Sequence, residues 1–121
     1  MKKILIVDDD EELVNLVNHI LKSKGFDVRT QPTGLKVSDV VKDYNPHLIL
    51  LDIRLYGESG TDICKELKRR SHTPVILFSA DNIKGQEFAN CNADGFLSKP
   101  FTIDELLTTI NLHLEPGKIE A

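Results

Sequence analysis

Residues 3–12 read KILIVDDDEE: five residues that favour a buried strand run directly into three aspartates and two glutamates. So many like charges at one strand end are costly unless a partner of opposite charge offsets their repulsion. A helical stripe follows the acidic run, formed by Leu13, Leu16, Val17, Ile20 and Leu21. The stretch therefore predicts a strand, an acidic turn and a helix in succession, the first unit of an alternating α/β fold.

Four more apolar runs occur along the chain, at residues 26–30, 47–52, 75–79 and 95–98. Amphipathic stretches separate the runs, and the weakest of these covers residues 83–91. Five largely apolar strands that alternate with five helices predict a parallel sheet covered on both faces. We predict an α/β, doubly wound (βα)5 flavodoxin-like three-layer sandwich with strand order 2-1-3-4-5. The run at 26–30 mixes apolar and polar residues, which suits its edge position in this order.

Local signals mark where two of the helices end and begin. Gly25 is typical of a residue that closes a helix C-terminus. Thr102 and Glu105 form a capping-box pattern at the start of the last helix. The apolar residues expected to face inward from this last helix are Ile103, Leu106, Leu107, Ile110 and Leu114.

Size and composition are those of one soluble domain of 121 residues. We predict a domain over residues 1–115 and a tail, or the start of a linker, over residues 116–121. No apolar run reaches the roughly 20 residues that cross a bilayer, and no signal-peptide pattern is present, which indicates a cytoplasmic protein. The net charge of −4 argues against sequence-independent binding of nucleic acid. Cys64 and Cys91 lack metal-type spacing.

Polar residues end four of the five predicted strands. Asp8 and Asp9 follow the first strand, and Asp52 ends the third. Ser79 ends the fourth strand, and Lys99 follows the fifth. Ligands of an open parallel sheet bind outside the carboxyl ends of the strands, near the point where strand order reverses. Three carboxylates, a hydroxyl and an ammonium are therefore expected to meet at one rim.

The acidic part of this rim predicts a metal site. Three carboxylates within a few ångströms cannot all stay ionised unless one takes up a proton or a cation joins them. Mg²⁺ suits a site with few carboxylates that leaves room for waters and a phosphoryl group. Asp8 and Asp9 are expected to hold the ion, with Asp52 pointing at it. Residues 10–12 are interpreted as solvated acids favoured by the dipole of the following helix.

The same rim predicts phosphoryl chemistry. A carboxylate beside a metal ion and a lysine is well placed to attack phosphorus, and aspartyl phosphate is an established product of such a nucleophile. Asp52 is the predicted nucleophile. The metal and Lys99 would neutralise charge on the transferring oxygens, and Ser79 could donate a hydrogen bond to one of them.

Four motifs, ILIVDD, LILLDIRL, ILFSA and ADGFLSKPF, occur in the order and spacing of a known family. Over about residues 2–115 the chain resembles the receiver domain of bacterial two-component response regulators. The resemblance implies that Asp52 accepts a phosphoryl group from a sensor histidine kinase or a phosphotransfer protein. It also implies Asp8 and Asp9 as the acidic pair for Mg²⁺, with the backbone carbonyl of Arg54 as a third protein ligand.

The resemblance also assigns the parts of a switch. It implies Ser79 as the switch hydroxyl and Lys99 as the lysine that contacts the phosphoryl group. Phe96 falls where the family keeps an aromatic that swings inward on activation. The Lys99–Pro100 peptide is often cis in such proteins, and Gly60 matches the family's glycine eight residues past the acceptor.

The switch is expected to follow from the charge that phosphorylation adds, up to about two negative charges. Ser79 would move toward the phosphoryl group, and Phe96 would turn into the vacated space. The weak helix over residues 83–91 would shift with them, because Gly85 and sparse apolar content make it easy to move. Phe88 is the apolar residue expected on the resulting partner-binding face.

Some positions depart from the family's usual pattern. Leu55 and Tyr56 replace the common methionine–proline pair after the acceptor, which predicts a less rigid loop and leaves Tyr56 able to cover the site. Phe96 lacks the hydroxyl of the commoner tyrosine. Arg54 and Asp81 occupy positions that tune the lifetime of the phosphoryl group in this family.

The expected output partner is a downstream protein or an output domain beyond residue 121. We expect no nucleic-acid or membrane contact by this domain, and either a monomer or a weak homodimer. The domain would catalyse only its own Mg²⁺-dependent phosphorylation and dephosphorylation, so we do not expect an enzyme that turns over an external substrate.

Three other interpretations fit parts of the pattern. A haloacid-dehalogenase-type phosphatase would use Asp8 and Asp10, but two glutamates follow and the cap insertions are missing. A flavodoxin-like nucleotide module needs a phosphate loop of amides and hydroxyls after the first strand, where acids would repel a phosphate. A phosphorylation-independent pseudo-receiver, which only binds partners, would lose the acceptor, the acid pair or the lysine, and all of these are present.

Overall fold

The computed structural model describes residues 2–55, 58–79 and 91–114, along which strands and helices alternate. The strands are β1 (Lys3–Val7), β2 (Asp27–Gln31), β3 (Leu48–Asp52), β4 (Arg54–Leu55), β5 (Glu58–Ser59), β6 (Val75–Ser79) and β7 (Gly95–Ser98). The helices are α1 (Glu11–Ser23), α2 (Val37–Tyr44), α3 (Gly60–Arg70) and α4 (Ile103–Leu114). Within the described ranges, none of the helices has the length and apolar character that crossing a membrane requires.

Five of the strands form one parallel sheet in the order β2-β1-β3-β6-β7. These are the five strands predicted from the sequence, so the doubly wound order is confirmed. β2 lies at an edge, as its mixed apolar and polar pattern indicated. Strand order reverses between β1 and β3, which lie side by side with Val7 opposite Leu51. The carboxyl ends of β1 and β3 therefore stand next to each other.

Helices cover both faces of the sheet, over two separate apolar clusters. Leu5 and Val7 of β1 face the cluster that packs with α2 and α3. Ile4 and Ile6 of the same strand face the cluster that packs with α1 and α4. Because the central strands are buried on both faces, they read as continuous apolar runs up to their carboxyl ends. Asp8 and Asp52, which lie at the carboxyl ends of these runs, belong to neither apolar cluster.

Polar side chains and one glycine fix the helix ends. Asp10 caps α1 by accepting a hydrogen bond from the Leu13 N–H at 3.2 Å, which gives one of the acids at this helix start a defined role. Thr102 and Glu105 exchange hydrogen bonds of 2.9 and 3.0 Å at the start of α4, and these confirm the predicted capping box. Gly25 adopts a φ of 90° just beyond α1, as expected for a glycine that closes a helix.

A short antiparallel pair between β4 and β5 is a feature that the sequence did not predict. Arg54 lies opposite Ser59, and Leu55 lies opposite Glu58. The pair ties the two ends of the loop between β3 and α3 together, and Leu55 is buried beneath it. The less rigid loop expected from Leu55 and Tyr56 stays a prediction, because residues 56 and 57 lie outside the described ranges.

Two residues predicted to face the core are exposed. Leu16 is 56% exposed, because Val17 and Leu21 set the centre of the buried face of α1 and Leu16 lies beyond its margin. Ile103 is 53% exposed as the first residue of α4, and Leu106 is the first buried residue of this helix. Both errors arise because a stripe on a helical wheel does not state where the neighbouring sheet begins and ends.

Some predictions fall outside the described ranges. These are the helix over residues 83–91 apart from Cys91, with Gly85 and Phe88, together with Tyr56, Asp81 and the tail over 116–121. The domain limits of 1–115 likewise stay a prediction.

Candidate functional site

The reversal of strand order brings two buried aspartates together. Asp8 directly follows β1, and Asp52 is the last residue of β3, so the two side chains leave neighbouring strands at the same edge. Asp8 is 2% exposed and Asp52 is 6% exposed. Among the described residues, they are the only polar or charged residues that are buried. Such burial is costly for a carboxylate unless it is compensated, which indicates that this edge of the sheet serves a purpose other than stability.

Asp9 completes a cluster of three carboxylates. Each of Asp8, Asp9 and Asp52 offers one oxygen, and these three oxygens all lie within 4.8 Å of one another. Asp9 itself is exposed, so the cluster opens to solvent on its side. The predicted convergence of the three acids at the rim is thus found in the structure.

The two oxygens of each buried carboxylate have different partners. Asp8 Oδ1 accepts a hydrogen bond of 2.9 Å from the N–H of Asp10, and Asp52 Oδ1 accepts one of 3.2 Å from the N–H of Arg54. Asp8 Oδ2 and Asp52 Oδ2 face the Lys99 ammonium, at 3.1 and 3.7 Å. The backbone amides therefore fix the orientation of both carboxylates and turn their second oxygens toward a shared cation.

Two buried carboxylates, Asp8 and Asp52, share the ammonium of Lys99. Burial and the negative charge of Asp8 raise the pKa of Asp52 from 3.8 to about 6, although the Lys99 ammonium and the Arg54 N–H oppose the shift. A raised pKa means that the folded site holds Asp52 in its charged form at a cost. A divalent cation among these oxygens would remove that cost, and it answers the question posed by the acidic run in the sequence.

Lys99 reaches the cluster from the turn between β7 and α4. Its side chain is 19% exposed, and its ammonium lies 5.2 Å from the ring centroid of Phe78. The Lys99–Pro100 peptide is cis, as the resemblance led us to expect. The lysine predicted to contact a phosphoryl group is therefore beside both buried carboxylates.

Gly60 places the start of α3 directly against the backbone of Asp52. Its N–H donates a hydrogen bond of 2.6 Å to the carbonyl oxygen of Ile53. A Cβ atom at this position would overlap the carbonyl oxygen of Asp52 and the Cα of Ile53. Only glycine allows this approach, which explains why the sequence has glycine eight residues after Asp52.

The remaining predicted site residues are placed as follows. The backbone of Ser79 pairs with Ser98 in β7, but the Ser79 side chain is outside the described part of the structure. Phe96 is half-buried on β7 and packs against the cluster under α2 and α3. Arg54 is exposed, and its backbone N–H donates a hydrogen bond to Asp52. The structure thus unites Asp8, Asp9, Asp52 and Lys99, and gives Phe96 a position from which it contacts the core.

Phe78 belongs to the site although the sequence did not single it out. It is fully buried, its ring lies under the Lys99 ammonium, and its backbone is in register with Asp52. The available signal was its place in the run VILFS, one residue before the predicted switch hydroxyl. A phenylalanine in an apolar strand is normally a core residue, so nothing in the sequence separated the two roles.

A family model described as the response regulator receiver domain matches residues 4–111. The chain belongs to this family. Similar solved structures include the BeF3-activated N-terminal receiver domain of RstA from Klebsiella pneumoniae, at 29% identity and a TM-score of 0.86. That alignment covers 93% of this chain and 98% of the RstA domain.

Two further receiver domains show the same likeness. The chemotaxis protein CheY4 of Vibrio cholerae is 28% identical, with a TM-score of 0.86 and coverage of 92% of this chain and 97% of that one. The signal receiver domain of a putative Luxo repressor protein from Vibrio parahaemolyticus is 29% identical, with a TM-score of 0.88 and coverage of 98% and 94%. The receiver fold and the family predicted from the motifs are confirmed.

Proposed function

We propose that this receiver domain accepts a phosphoryl group on Asp52 from a phosphohistidine of a sensor histidine kinase or a phosphotransfer protein. The observation that carries the proposal is the position of Asp52: a buried carboxylate with one oxygen fixed by a backbone amide and the other 3.7 Å from Lys99. A carboxylate with only a structural role would be expected to have its charge matched, as a buried ion pair requires. Among the described residues, Asp52 instead pairs with one lysine, which it shares with Asp8.

The donor set fits Mg²⁺. Asp8 and Asp9 would hold the ion, together with Asp52 and the backbone carbonyl of Arg54. All of these ligands are oxygens, which hard cations prefer, and the exposed side of Asp9 leaves room for waters. When bound, Mg²⁺ neutralises negative charge on the transferring phosphoryl oxygens and on the carboxylates around them.

The transfer itself is a displacement at phosphorus. A carboxylate oxygen of Asp52 forms a bond to the phosphorus atom while the bond from phosphorus to the histidine nitrogen of the partner breaks. The electron pair of that bond goes to the imidazole nitrogen, and the partner histidine ends neutral after proton exchange with water. Lys99 donates a hydrogen bond to a phosphoryl oxygen and so stabilises the charge that the transfer brings to the site.

The output is proposed to run through Ser79 and Phe96. The phosphoryl oxygens would attract the hydroxyl of Ser79, and Phe96 would turn toward the space it leaves. Phe96 is half-buried against the core, so an inward turn would bury apolar surface and would be favourable. The surface altered by these movements would then bind a downstream protein or an attached output domain. We propose that phosphorylation and this binding take place in the cytoplasm.

The test is phosphorylation of the purified domain by acetyl phosphate in the presence of Mg²⁺, followed by intact mass. We expect a wild-type adduct of one phosphoryl group and none in Asp52→Asn. Asp104→Asn serves as the matched control, because this exposed aspartate in the first turn of α4 should leave the adduct unchanged.

The BeF3 complex, which activates the related RstA receiver domain, provides a second probe that needs no covalent step. We expect BeF3 with Mg²⁺ to shift the amide signals of the wild type and not those of Asp52→Asn. A wild-type protein that binds Mg²⁺ but takes up neither phosphoryl group nor BeF3 would contradict the proposal and favour a pseudo-receiver that acts without phosphorylation.

A further inference from the structure

Phe78 connects the phosphoryl-accepting strand with Lys99. It is the residue opposite Asp52 in the pairing of β3 with β6, and its carbonyl oxygen accepts a hydrogen bond of 3.1 Å from the N–H of Ile53. Its side chain is fully buried. The backbone of Phe78 is thus fixed relative to Asp52, and the direction of its ring is set by the strand.

Two groups contact the ring of Phe78. The Lys99 ammonium lies over it, 5.2 Å from the ring centroid, within the distance at which a cation is attracted to an aromatic face. Phe101 packs against it edge to face, with centroids 6.0 Å apart and an angle of 82° between the ring planes. Lys99 and Phe101 lie on either side of the cis Lys99–Pro100 turn, so both ends of this turn rest on the same ring.

We propose that Phe78 is a positioning residue for Lys99, whose aromatic face holds the ammonium between Asp8 and Asp52. This inference rests on the proposed role of Lys99 in phosphoryl transfer. A lysine side chain is long and flexible, and without a support it can reach either carboxylate or solvent. The ring restricts it to the place where it is 3.1 Å from Asp8 Oδ2 and 3.7 Å from Asp52 Oδ2.

The attraction of the Phe78 ring for the Lys99 ammonium does not depend on the phosphorylation of Asp52. The charge on Asp52 changes when the phosphoryl group arrives, so the attraction between Asp52 and Lys99 changes during the reaction. The quadrupole of Phe78 stays the same throughout. Lys99 can therefore keep its position from the unmodified to the phosphorylated state, which is the condition for a preorganised charge to assist transfer.

The test replaces Phe78 by phenylalanines with one, two and three ring fluorines, introduced at this position alone. Fluorine withdraws electron density from the aromatic face but leaves the size and apolar character of the side chain nearly unchanged, so the fold is retained. We expect the rate of phosphorylation by acetyl phosphate to fall with each added fluorine, by about two- to fivefold in total. The midpoint of Mg²⁺ titration should stay the same.

The matched control is the same fluorine series at Phe26, which packs against the same core cluster and directly precedes β2, an edge strand that β1 and β3 separate from β6. We expect no change of rate in this control series. A rate that is equally insensitive to fluorine at Phe78 would show that the ring only fills space, and the inference would be wrong.

A spectroscopic readout separates this inference from the proposed function. In the metal-free wild type, the methylene protons next to the Lys99 ammonium should be shifted upfield by the ring current of Phe78. Phe78→Leu should return them to ordinary values. If the wild-type shift is absent, Lys99 does not rest on the ring and the inference fails. If the shift is present but no phosphoryl adduct forms, the proposed function fails and the contact between Phe78 and Lys99 stands.

Discussion

Two aspartate–lysine clusters lie at the two ends of the parallel strands, the carboxyl edge and the amino edge of the sheet. Both contain carboxylates and an ammonium, but their charges are balanced differently. At the carboxyl edge, Lys99 lies 3.1 Å from Asp8 and 3.7 Å from Asp52. At the amino edge, Lys68 lies 2.8 Å from Asp94. The Oδ2 atom of Asp94 also accepts a hydrogen bond of 2.8 Å from the N–H of Val75.

The difference between the two clusters is the balance of charge. Asp94 has its own lysine, and the Lys68 ammonium also donates to the carbonyl oxygen of Thr73 at 3.2 Å. This pair joins α3 to the starts of β6 and β7, which is a structural role. Lys99, by contrast, faces two buried carboxylates with a third nearby, and the pKa of Asp52 is raised to about 6. Among the described residues, two buried carboxylates face one lysine at this edge, which is the arrangement that the proposed Mg²⁺ site would use.

The largest effect expected from this comparison is that of removing Lys99. In Lys99→Met, Asp8 and Asp52 remain buried without a cation, and the free energy of unfolding measured by urea in EDTA should fall by about 3 kcal/mol. Mg²⁺ should restore most of this loss, because its charge replaces that of the ammonium. Denaturation curves with EDTA and with Mg²⁺ at the same pH check both statements.

The control for Lys99 is the lysine of the balanced pair. Lys68→Met should lower the free energy of unfolding by about 1 kcal/mol, since Asp94 keeps the Val75 N–H and reaches solvent, and Mg²⁺ should not restore it. An equal rescue of both variants by Mg²⁺ would mean that the metal acts on the whole protein, and the contrast between the two edges would be lost.

A smaller effect of opposite sign is expected when the charge of Asp52 itself is removed. The pKa of Asp52 is about 6 in the folded protein and 3.8 ordinarily, so the folded state holds the proton more tightly than the unfolded chain does. The stability contribution of this group is therefore complete below about pH 3.8 and is lost as the pH rises through about 6. Asp52→Asn, which cannot ionise, should match the wild type at low pH and exceed its unfolding free energy by about 2 kcal/mol above pH 7 in EDTA.

Asp94→Asn provides the matched change at the other edge. It removes the charge that Lys68 pairs with, so we expect it to lower the free energy of unfolding by about 1 kcal/mol near neutral pH. Urea denaturation of the two variants between pH 4 and 8 gives the comparison. If Asp52→Asn also destabilises the metal-free protein at neutral pH, then Lys99 alone satisfies Asp52 and the sharing of this lysine has no energetic consequence.

The residues of the carboxyl edge could be predicted from the sequence because each one ends or closely follows an apolar run. Each central strand is a continuous apolar run, and a charged residue at its end must lie at the rim of a parallel sheet. Asp8, Asp9, Asp52 and Lys99 were placed in this way, and the doubly wound strand order agreed with the mixed polar pattern of one edge strand. The motifs of the family then agreed with positions already singled out.

The amino edge and the support of Lys99 could not be predicted in the same way. Asp94 and Lys68 are separated by 26 residues and meet only because β6 and β7 pair. The contact of Phe78 with Lys99 depends on the path of the turn after β7, and the pairing of Arg54 with Ser59 joins two short strands that no apolar pattern marks. Such contacts are set by three-dimensional packing, and no periodic pattern in the sequence reports them.

The smallest expected effect is that of an ion pair in solvent. Glu66 on α3 lies 3.1 Å from Arg69 and 2.7 Å from Arg70, distances as short as those at either edge of the sheet. All three side chains are exposed, so water screens their attraction, and holding them together costs side-chain entropy. Glu66→Gln should change the free energy of unfolding by less than about 0.5 kcal/mol and leave phosphorylation unchanged. A loss as large as that of Lys99→Met would show that proximity, and not burial with unmatched charge, decides the energetics of these pairs.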